Sequence, residues 1–537
     1  MFDFLKRQRR ETGQVATQST ESVEPTIGDA SGNDPGRMAA RISRAQKRSL
    51  LAQAQSDRLS SDMPTMPVPT DDFISRNQRS LVARSRHLLL TNDYARGFLR
   101  QARQNIVGHQ GIGLQAQARD RDGSLDDAAN DAIEADWRRW SGREHCDISG
   151  RRSLRQLCNR AVEDAAANGE FMFRVVIGRN VNAWGIALQV LDPQRCPVDY
   201  SVDRLSGGRF IRHGIEYNRN GRAIHYLFST LDPSESDYTV GGRHFVKVPA
   251  SEMLHGFLED LVGQRRGLPW MVTAVMRMRH LDGFEQSALV NARIGAAKGG
   301  FFEWDEGRAP DRDDEADEEP LYLDAEPGSF QELPEGLRFK GWEPQFPNGE
   351  LAPFSKQMLR GIATGLGVSY NTLANDLEHV SFSSIRQGTL NEREHWKDLQ
   401  EWLIESLMDP LFDLWLPRAL LKGIPLPLRP GATLRPDRLE KYRERVWQPR
   451  RWDWVDPDKD SKTAERDMRN KVRSPSQVIR ERGGDPRSVW RQYAADRQAM
   501  LDAGIPEHIV DAEMGSSHQS RPSQPSQSES EESGNEG

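Results

Sequence analysis

From Pro269 the chain alternates apolar and polar positions with a helical period for about thirty residues. Met271, Ala274, Val275, Met278, Leu281, Ala288, Leu289, Ala292 and Ala296 share one face of a 3.6-residue repeat. Thr273, Arg277, His280, Ser287 and Asn291 share another, while Glu285 interrupts the apolar stripe and Phe284 the polar one. Pro269 suits the first helical turn, where a missing N–H costs nothing. At 1.5 Å per residue the pattern predicts a helix of roughly 45 Å, longer than most helices inside a compact domain. A second helical pattern runs from Ala352 to Leu366, and the 301–350 stretch between the two carries strand-like pieces at 321–324 and 337–342. A turn, a long helix, a small inserted module and a returning helix are parts of a machine element rather than of an active site.

Elsewhere the pattern predicts a mixed α+β protein in which helix predominates. Helical periodicity begins near Gly36 and again near Asp72, and Asn92 is placed to cap a further helix ending at Gly108. Ser124 and Asp127 have capping-box spacing ahead of a stripe of Leu125, Ala129, Ile133, Trp137 and Trp140. Strand signals dominate 170–250, in FMFRVVIG, ALQVLD and the hairpin GIEYNRNGRAIHYLF. Centring that hairpin on Asn220-Gly221 pairs Tyr217 with Ile224 and Ile215 with Tyr226. Beyond Ser384, Leu399, Trp402, Leu403, Leu407, Leu411 and Trp415 form an apolar helical face, with Asp409-Pro410 expected to end one helix and cap the next. Two or three shorter helices fill 437–504, punctuated by Ser474-Pro475 and Gly483-Gly484-Asp485-Pro486. Residues 11–36 and the Ser-rich acidic tail from Gly515 have the composition of disordered segments.

Charge and chemistry narrow the function. The chain holds 73 basic and 80 acidic residues, a net charge of −7, whereas a protein whose main task is gripping DNA carries a basic excess. No run approaches eighteen apolar residues, so no membrane helix is expected. MFDFLKRQRR lacks the apolar core of a signal peptide, and Cys146, Cys158 and Cys196 lack metal or disulfide spacing. Both features fit a reducing, cytoplasmic setting. No nucleotide-binding, zinc-protease or serine-hydrolase motif is present, and the Gly108, Gly111 and Gly113 cluster reads as a turn. Residues 305–319 hold nine acids against two arginines. Asp311, Asp313, Asp314, Glu315, Asp317, Glu318 and Glu319 form a solvated loop or docking surface more readily than a Mg²⁺ or Ca²⁺ site, because contiguous acids do not converge. His225, His244 and His255 have no metal spacing, and Glu163-Asp164 with Glu170 reads as a polar helix face next to a turn. The arginines of 263–267 either contact phosphate or anchor a neighbouring element. On pattern alone the segment 375–384 is an inter-helix loop.

The chain resembles the lambda-like family of portal proteins of tailed bacteriophages over about residues 70–505. TNDYARGFLRQARQNIVGHQGIGLQ, the Trp137 and Trp140 pair, AAANGEFMFRVV, LQVLDPQR and GIEYNRNGRAIHYLF carry the likeness. HGFLEDLVGQRRGLPW, GVSYNTLANDLEHVSFSSIRQG and SPSQVIRERGGDP complete it, in that order. The acidic 305–319 stretch and both termini have no counterpart. The resemblance implies a portal fold: an N-terminal arm at 1–70, an α+β wing at 71–268, a stem helix at 269–300, a small α/β clip at 301–350 and a second stem helix at 351–368. It further implies a tunnel-loop region at 369–384, wing helices at 385–455, a helical crown at 456–510 and a disordered acidic tail at 511–537. It implies a homo-oligomeric ring of about twelve subunits at the capsid vertex, assembled in the host cytoplasm and carried in the virion. Double-stranded DNA would pass through it non-specifically during packaging and ejection. The terminase large subunit, head-tail connector proteins, and major capsid and scaffold proteins are the implied partners, with no membrane and no cofactor. Site residues follow on the same terms: a tunnel loop of Asn375, Asp376, Leu377, Glu378, His379, Val380, Ser381, Phe382, Ser383 and Ser384. Stem basic positions are Arg277, Arg279, Arg293 and Lys298, which serve either DNA or inter-subunit ion pairs, and the seven acids of 311–319 would dock terminase or connectors. Two rival classes stay open at this point: a metal-dependent DNA-processing enzyme using the acidic cluster, and a capsid or scaffold component without a channel.

Overall fold

The computed structural model describes residues 66–232, 245–296, 300–304, 337–341, 351–378, 381–427, 429–452 and 457–515. From Pro69 onward they belong to one compact unit; Met1–Val68 is a second, of which only 66–68 are described. The helical pattern near Gly36, the strand-like 321–324 and the Ser-rich tail lie outside the described residues. Helices α1 (Thr70–Thr91) and α2 (Asp93–Ile106) meet at Asn92, whose side chain accepts the Ala95 N–H at 3.0 Å, as the sequence predicts. Strand β1 (Gly113–Ala116) leads to α3 (Asp127–Trp140). The capping box expected at Ser124 does not form: Asp126 accepts the Ala129 N–H at 3.1 Å, while Ser124 Oγ donates to Asp122 inside the preceding turn at 2.6 Å. Helix α4 (Leu154–Asn168) carries a complete box between Ser153 and Gln156, and stops on Gly169 at φ 89°.

Strand β2 (Glu170–Ile177) is the centre of an antiparallel three-stranded sheet, between β3 (Ile186–Leu191) and β8 (Met253–Phe257). A second sheet runs in simple sequence order through β4 (Phe210–Arg212), β5 (Ile215–Tyr217), β6 (Ala223–Phe228) and β7 (Val246–Pro249). The hairpin pairs Ile215 with Tyr226 as expected, but a bulge beside Glu216 sets Tyr217 opposite Ala223 instead of Ile224. The turn explains the slip. It is not a two-residue Asn-Gly turn: Asn218 N–H donates to Arg222 O at 2.9 Å and Gly221 sits at φ 80°. Asn218 Oδ1 then accepts the N–H groups of Asn220 and Arg222, each at 2.9 Å, and that longer loop adds a residue to one strand.

Helix α5 (Val275–Ala296) has 22 residues, hence about 33 Å, shorter than the sequence predicts. Residues before Val275 are wound more tightly: Val272 N–H donates to Pro269 O and Ala274 N–H to Met271 O, three residues back in each case. The four-residue ladder begins only where Val275 N–H reaches Met271 O. The predicted face is otherwise observed, since Met271, Ala274, Val275, Met278, Leu281 and Ala288 are buried and Thr273, Arg277, His280 and Ser287 exposed; Leu289 departs from it. Strands β9 (Gly300–Trp304) and β10 (Leu337–Gly341) pair antiparallel, Gly300 with Gly341 and Trp304 with Leu337, and α6 (Leu351–Leu366) follows.

The short α7 (Tyr370–Ala374) precedes α8 (Phe382–Leu403), which runs through a wide π-wound segment, Ile404–Met408, into α9 (Asp409–Lys422). The break expected at Asp409-Pro410 is therefore absent, because Pro410 falls in the first turn of α9, where it is tolerated. Asp409 does not cap; it accepts Arg445 Nε at 2.8 Å and Trp447 Nε1 at 2.9 Å. Those two residues lie in β11 (Arg445–Gln448), which pairs with β1 across more than three hundred residues of sequence. Helices α10 (Pro457–Arg469), α11 (Pro475–Glu481), α12 (Pro486–Asp502) and α13 (Glu507–Gly515) complete the described chain; Ser474 and Asp485, read from the sequence only as punctuation between helices, cap α11 and α12. The main core gathers around Trp137: Trp140, Phe412, Trp415 and Trp447 all place ring centroids within 6 Å of it. These rings join α3, α9 and β11, so the two halves of the chain share one core.

Candidate functional site

The root of α5 is fixed by a buried ion cluster. Glu170, at the first position of β2, and Arg266, in the loop after β8, are both fully buried, and the guanidinium donates to the carboxylate from Nε and Nη2 at 2.9 and 2.7 Å. His255 Nε2 lies 3.0 Å from the same carboxylate, and Gly267 N–H and Gln78 Nε2 donate to it at 3.1 and 3.3 Å. Arg266 spends its remaining donors on the carbonyls of Pro193, Cys196 and His213 at 2.9, 3.0 and 2.8 Å. Burial alone would raise the Glu170 carboxyl; Arg266 and His255 outweigh it and hold the group down to about 2. Glu170 is thus not part of a polar helix face: it is the counter-ion of a buried arginine. Arg265 makes the neighbouring anchor, with Nη1 2.7 Å from Asp71 of α1, which answers the anchor-or-phosphate question in favour of the anchor. Asp164 is buried as well, and burial raises its carboxyl to about 6 against the opposing pull of Arg160. Beside this cluster the backbone crosses itself at two glycines. A methyl group on Gly267 would fall 2.0 Å from Gly169 O. Only glycine at both positions permits that approach.

Helices α5 and α6 lie against each other, with β9 and β10 between them in the chain. Thr273 Oγ1 donates to Gly365 O at 3.0 Å, and Phe284 meets Phe354 at 4.7 Å between centroids. Phe284 therefore breaks the polar stripe because it faces α6. A methyl group on Gly361 would fall 1.9 Å from Arg277 Nη1, so Arg277 lies over α6 at that glycine. Arg279 and Arg293 are exposed, and no ion pair engages them among the described residues; Lys298 lies outside those residues. Met276, Leu289, Val290 and Phe354 are 49, 54, 51 and 47 % exposed. Four large apolar side chains on one helix pair thus have half their surface uncovered in a single chain.

The 375–384 segment joins α7 to α8. Asn375 takes the left-handed conformation at φ 52°, which ends α7, and Asp376 is then tied down at both ends. It accepts Tyr370 O–H at 2.7 Å and Lys356 Nζ at 3.0 Å, while Glu378 N–H donates to its other oxygen at 3.0 Å. The Tyr370 hydroxyl, with Lys356 behind it, lowers the Asp376 carboxyl to about 2. Leu377 and Glu378 follow as exposed residues, Ser381 precedes α8, and Phe382, Ser383 and Ser384 form its first turn. His379 and Val380 lie outside the described residues, as do Asp311, Asp313, Asp314, Glu315, Asp317, Glu318, Glu319 and His244. The structure therefore brings the base of the 375–384 segment onto α6 through Lys356, a link that sequence spacing does not reveal. His225 bonds Glu216 at 3.0 Å and His255 bonds Glu170, so each is a partner of a buried carboxylate. Among the described residues no group of His, Cys, Asp and Glu converges as a metal site, and no helix is long and apolar enough to cross a membrane. The three cysteines are buried and unpaired, and burial raises the Cys146 and Cys158 thiols to about 12.

Residues 56–400 match the family described as phage portal protein, lambda family. The probable portal protein of Halomonas phage phiHAP-1 is 33 % identical over 442 residues, covering 81 % of this chain and 83 % of that protein. Portal protein B of Escherichia phage lambda is 22 % identical over 389 residues, covering 64 % of this chain and 69 % of that protein. Among solved structures, the neck of an empty gene transfer agent particle is similar at 14 % identity and a TM-score of 0.41, over 76 % of this chain and 94 % of that one. The family match spans most of the chain, from α1 through the 375–384 segment into α8, and the chain belongs to the lambda family of phage portal proteins.

Proposed function

We propose that this portal protein assembles as a ring of about twelve subunits, whose central channel carries double-stranded DNA into the capsid during packaging and out during ejection. The observation that carries the reading is the helix–hairpin–helix unit of α5, β9, β10 and α6, with its half-exposed apolar residues. In a closed ring such a unit repeats around an axis, and each exposed row is covered by the next subunit. In this reading α5 and α6 form the stem, the 301–350 region the clip, the 375–384 segment the tunnel loop, and α10 to α13 belong to the crown. The tether from Asp376 to Lys356 then makes the tunnel loop move with the stem.

DNA must slide through such a channel, and every phosphate neutralised adds to the grip. A net charge of −7 with a few exposed arginines suits passage rather than binding. Of the stem positions, Arg279 and Arg293 are the better candidates to meet DNA, since Arg277 is laid over Gly361. The acids of 311–319 would form the face that docks the terminase large subunit during packaging and connector proteins afterwards. The rival reading, a metal-dependent nuclease built on those acids, sits poorly with relatives that are structural portal proteins.

Deleting 305–319 tests the docking assignment. The deleted protein is expected to form rings with unchanged yield while losing retention of the terminase large subunit and packaging of DNA in vitro. Normal packaging by the deletion variant would overturn the docking role.

A further inference from the structure

Two charged rows of opposite sign lie on opposite sides of the α2–α8 pair. On α2, Arg96, Arg100 and Arg103 follow at steps of four and three residues. Arg96 and Arg100 are exposed and take part in no ion pair among the described residues, whereas Arg103 is bound to Glu163 at 2.7 Å and stays 42 % exposed. On α8 and the π-wound segment after it, Asp398, Glu401 and Glu405 follow at steps of three and four, all exposed and without an ion pair among the described residues. The next acid on that face, Glu394, is already held by Lys397 at 2.6 Å.

Helical geometry sets the directions. Helix α2 touches α8 through Phe98, whose ring lies 6.5 Å from that of Trp396, and through Asn105 O, which accepts Gln400 Nε2 at 2.7 Å. At 100° per residue, Arg96 and Arg100 lie about half a turn from Phe98, and Asp398 and Glu401 about half a turn from Trp396. The basic row therefore looks away from α8 and the acidic row away from α2. One chain cannot bring them together, but two chains placed head to tail can.

We propose that the acidic row of α8 in one subunit docks on the basic row of α2 in the next copy of the chain, as a heterologous contact of the ring. The inference rests on the ring reading above and names the faces that close it. Antiparallel alignment sets Glu405, Glu401 and Asp398 opposite Arg96, Arg100 and Arg103 one by one, because the steps of four and three then coincide over about 10 Å. A head-to-tail contact needs two different complementary faces on each subunit, unlike a two-fold contact, which needs a self-complementary one. The charge complementarity also sets the partner: an identical chain offers the matching face, whereas DNA would be drawn to the arginines and repelled by the acids.

The test uses two variants of the full chain. One carries Glu401→Lys and Glu405→Lys; the other carries Arg96→Glu and Arg100→Glu, so that each reversed pair has its counterpart and the Asp398–Arg103 pair is left as it is. Each alone sets like charges against each other, so ring mass should be lost for each in mass photometry at physiological salt, with circular dichroism unchanged. Mixed in equal amounts, the two match at every contact and should restore rings in which they alternate. Rings from either variant alone, or failure of the folded pair to co-assemble, would overturn the proposal. Loss of DNA retention by the Arg96→Glu, Arg100→Glu variant with its rings intact would likewise overturn it, assigning the arginines to DNA. Absence of rings from the unmodified chain would instead count against the ring reading. Should either reversal disturb folding, the unmodified chain supplies a second measurement. Its rings should loosen as salt rises, since the contact is charged and exposed, and salt-independent rings would contradict the proposal.

Discussion

Replacing Glu170 by Gln removes the counter-ion of a fully buried arginine while keeping the shape of the side chain. The guanidinium keeps its three carbonyl partners but loses its anion, and the new amide turns a donor toward Gly267 N–H, His255 or Arg266 itself. Breaking a buried pair from one side costs about 3–5 kcal/mol. The acidity of Glu170 leads to a similar figure: a carboxyl held at about 2 instead of 4.5 corresponds to about 3 kcal/mol at 1.36 kcal/mol per unit. At about 1 °C per kcal/mol for a unit of this size, the variant should melt about 3–5 °C below the parent at pH 7. Protein concentration must be held fixed, because assembly shifts the apparent midpoint. The pH dependence has a definite sign. The lowered pKa of Glu170 stabilises the fold fully above about pH 4.5, and this contribution is lost as pH falls toward 2. The parent should therefore lose stability faster than the Gln variant across that window. A melting point for Glu170→Gln within 2 °C of the parent would refute the claim that this pair fixes the root of α5.

Gly267→Ala should be far more damaging than its size suggests, with little soluble folded protein, because the new methyl meets backbone at 2.0 Å and backbone cannot swing aside. Gly361→Ala should be neutral or gain up to about 1 kcal/mol of helix stability in a melting assay, since its short contact is only the tip of Arg277. Asp376→Asn should weaken both tethers of the 375–384 segment, seen as faster amide exchange at Leu377 and Glu378 with the global melting point unchanged; unchanged exchange would show that the tether is not what holds the loop.

What was legible in the sequence was local. Asn92 caps its helix where the sequence places it, and Ser474 and Asp485 cap helices at breaks the sequence marks, because a cap needs only a few neighbouring residues. The apolar rows of α5 and α8 and the strand at 337–341 follow from short-range periodicity. Features set by distant partners were not legible. Strand β11 exists because β1 offers it an edge, and its four residues carry no signal of their own. Glu170 looks like the polar end of a turn until Arg266, 96 residues away, is folded beneath it. The hairpin slip at Tyr217 came from Asn218, whose side chain lengthened a turn that Asn220-Gly221 alone would have closed in two residues. At the candidate site, the loop between α7 and α8 was readable as a loop, but its tether to Lys356 joins two elements that spacing does not relate. Family membership came from the order and spacing of many weak pieces of sequence, and the match over residues 56–400 now establishes it.

The central claim is the ring, and negative-stain electron microscopy of the purified chain tests it most directly. Class averages should show closed rings of about twelve subunits with a central hole. A stable monomer or dimer across salt and protein concentration would contradict the account.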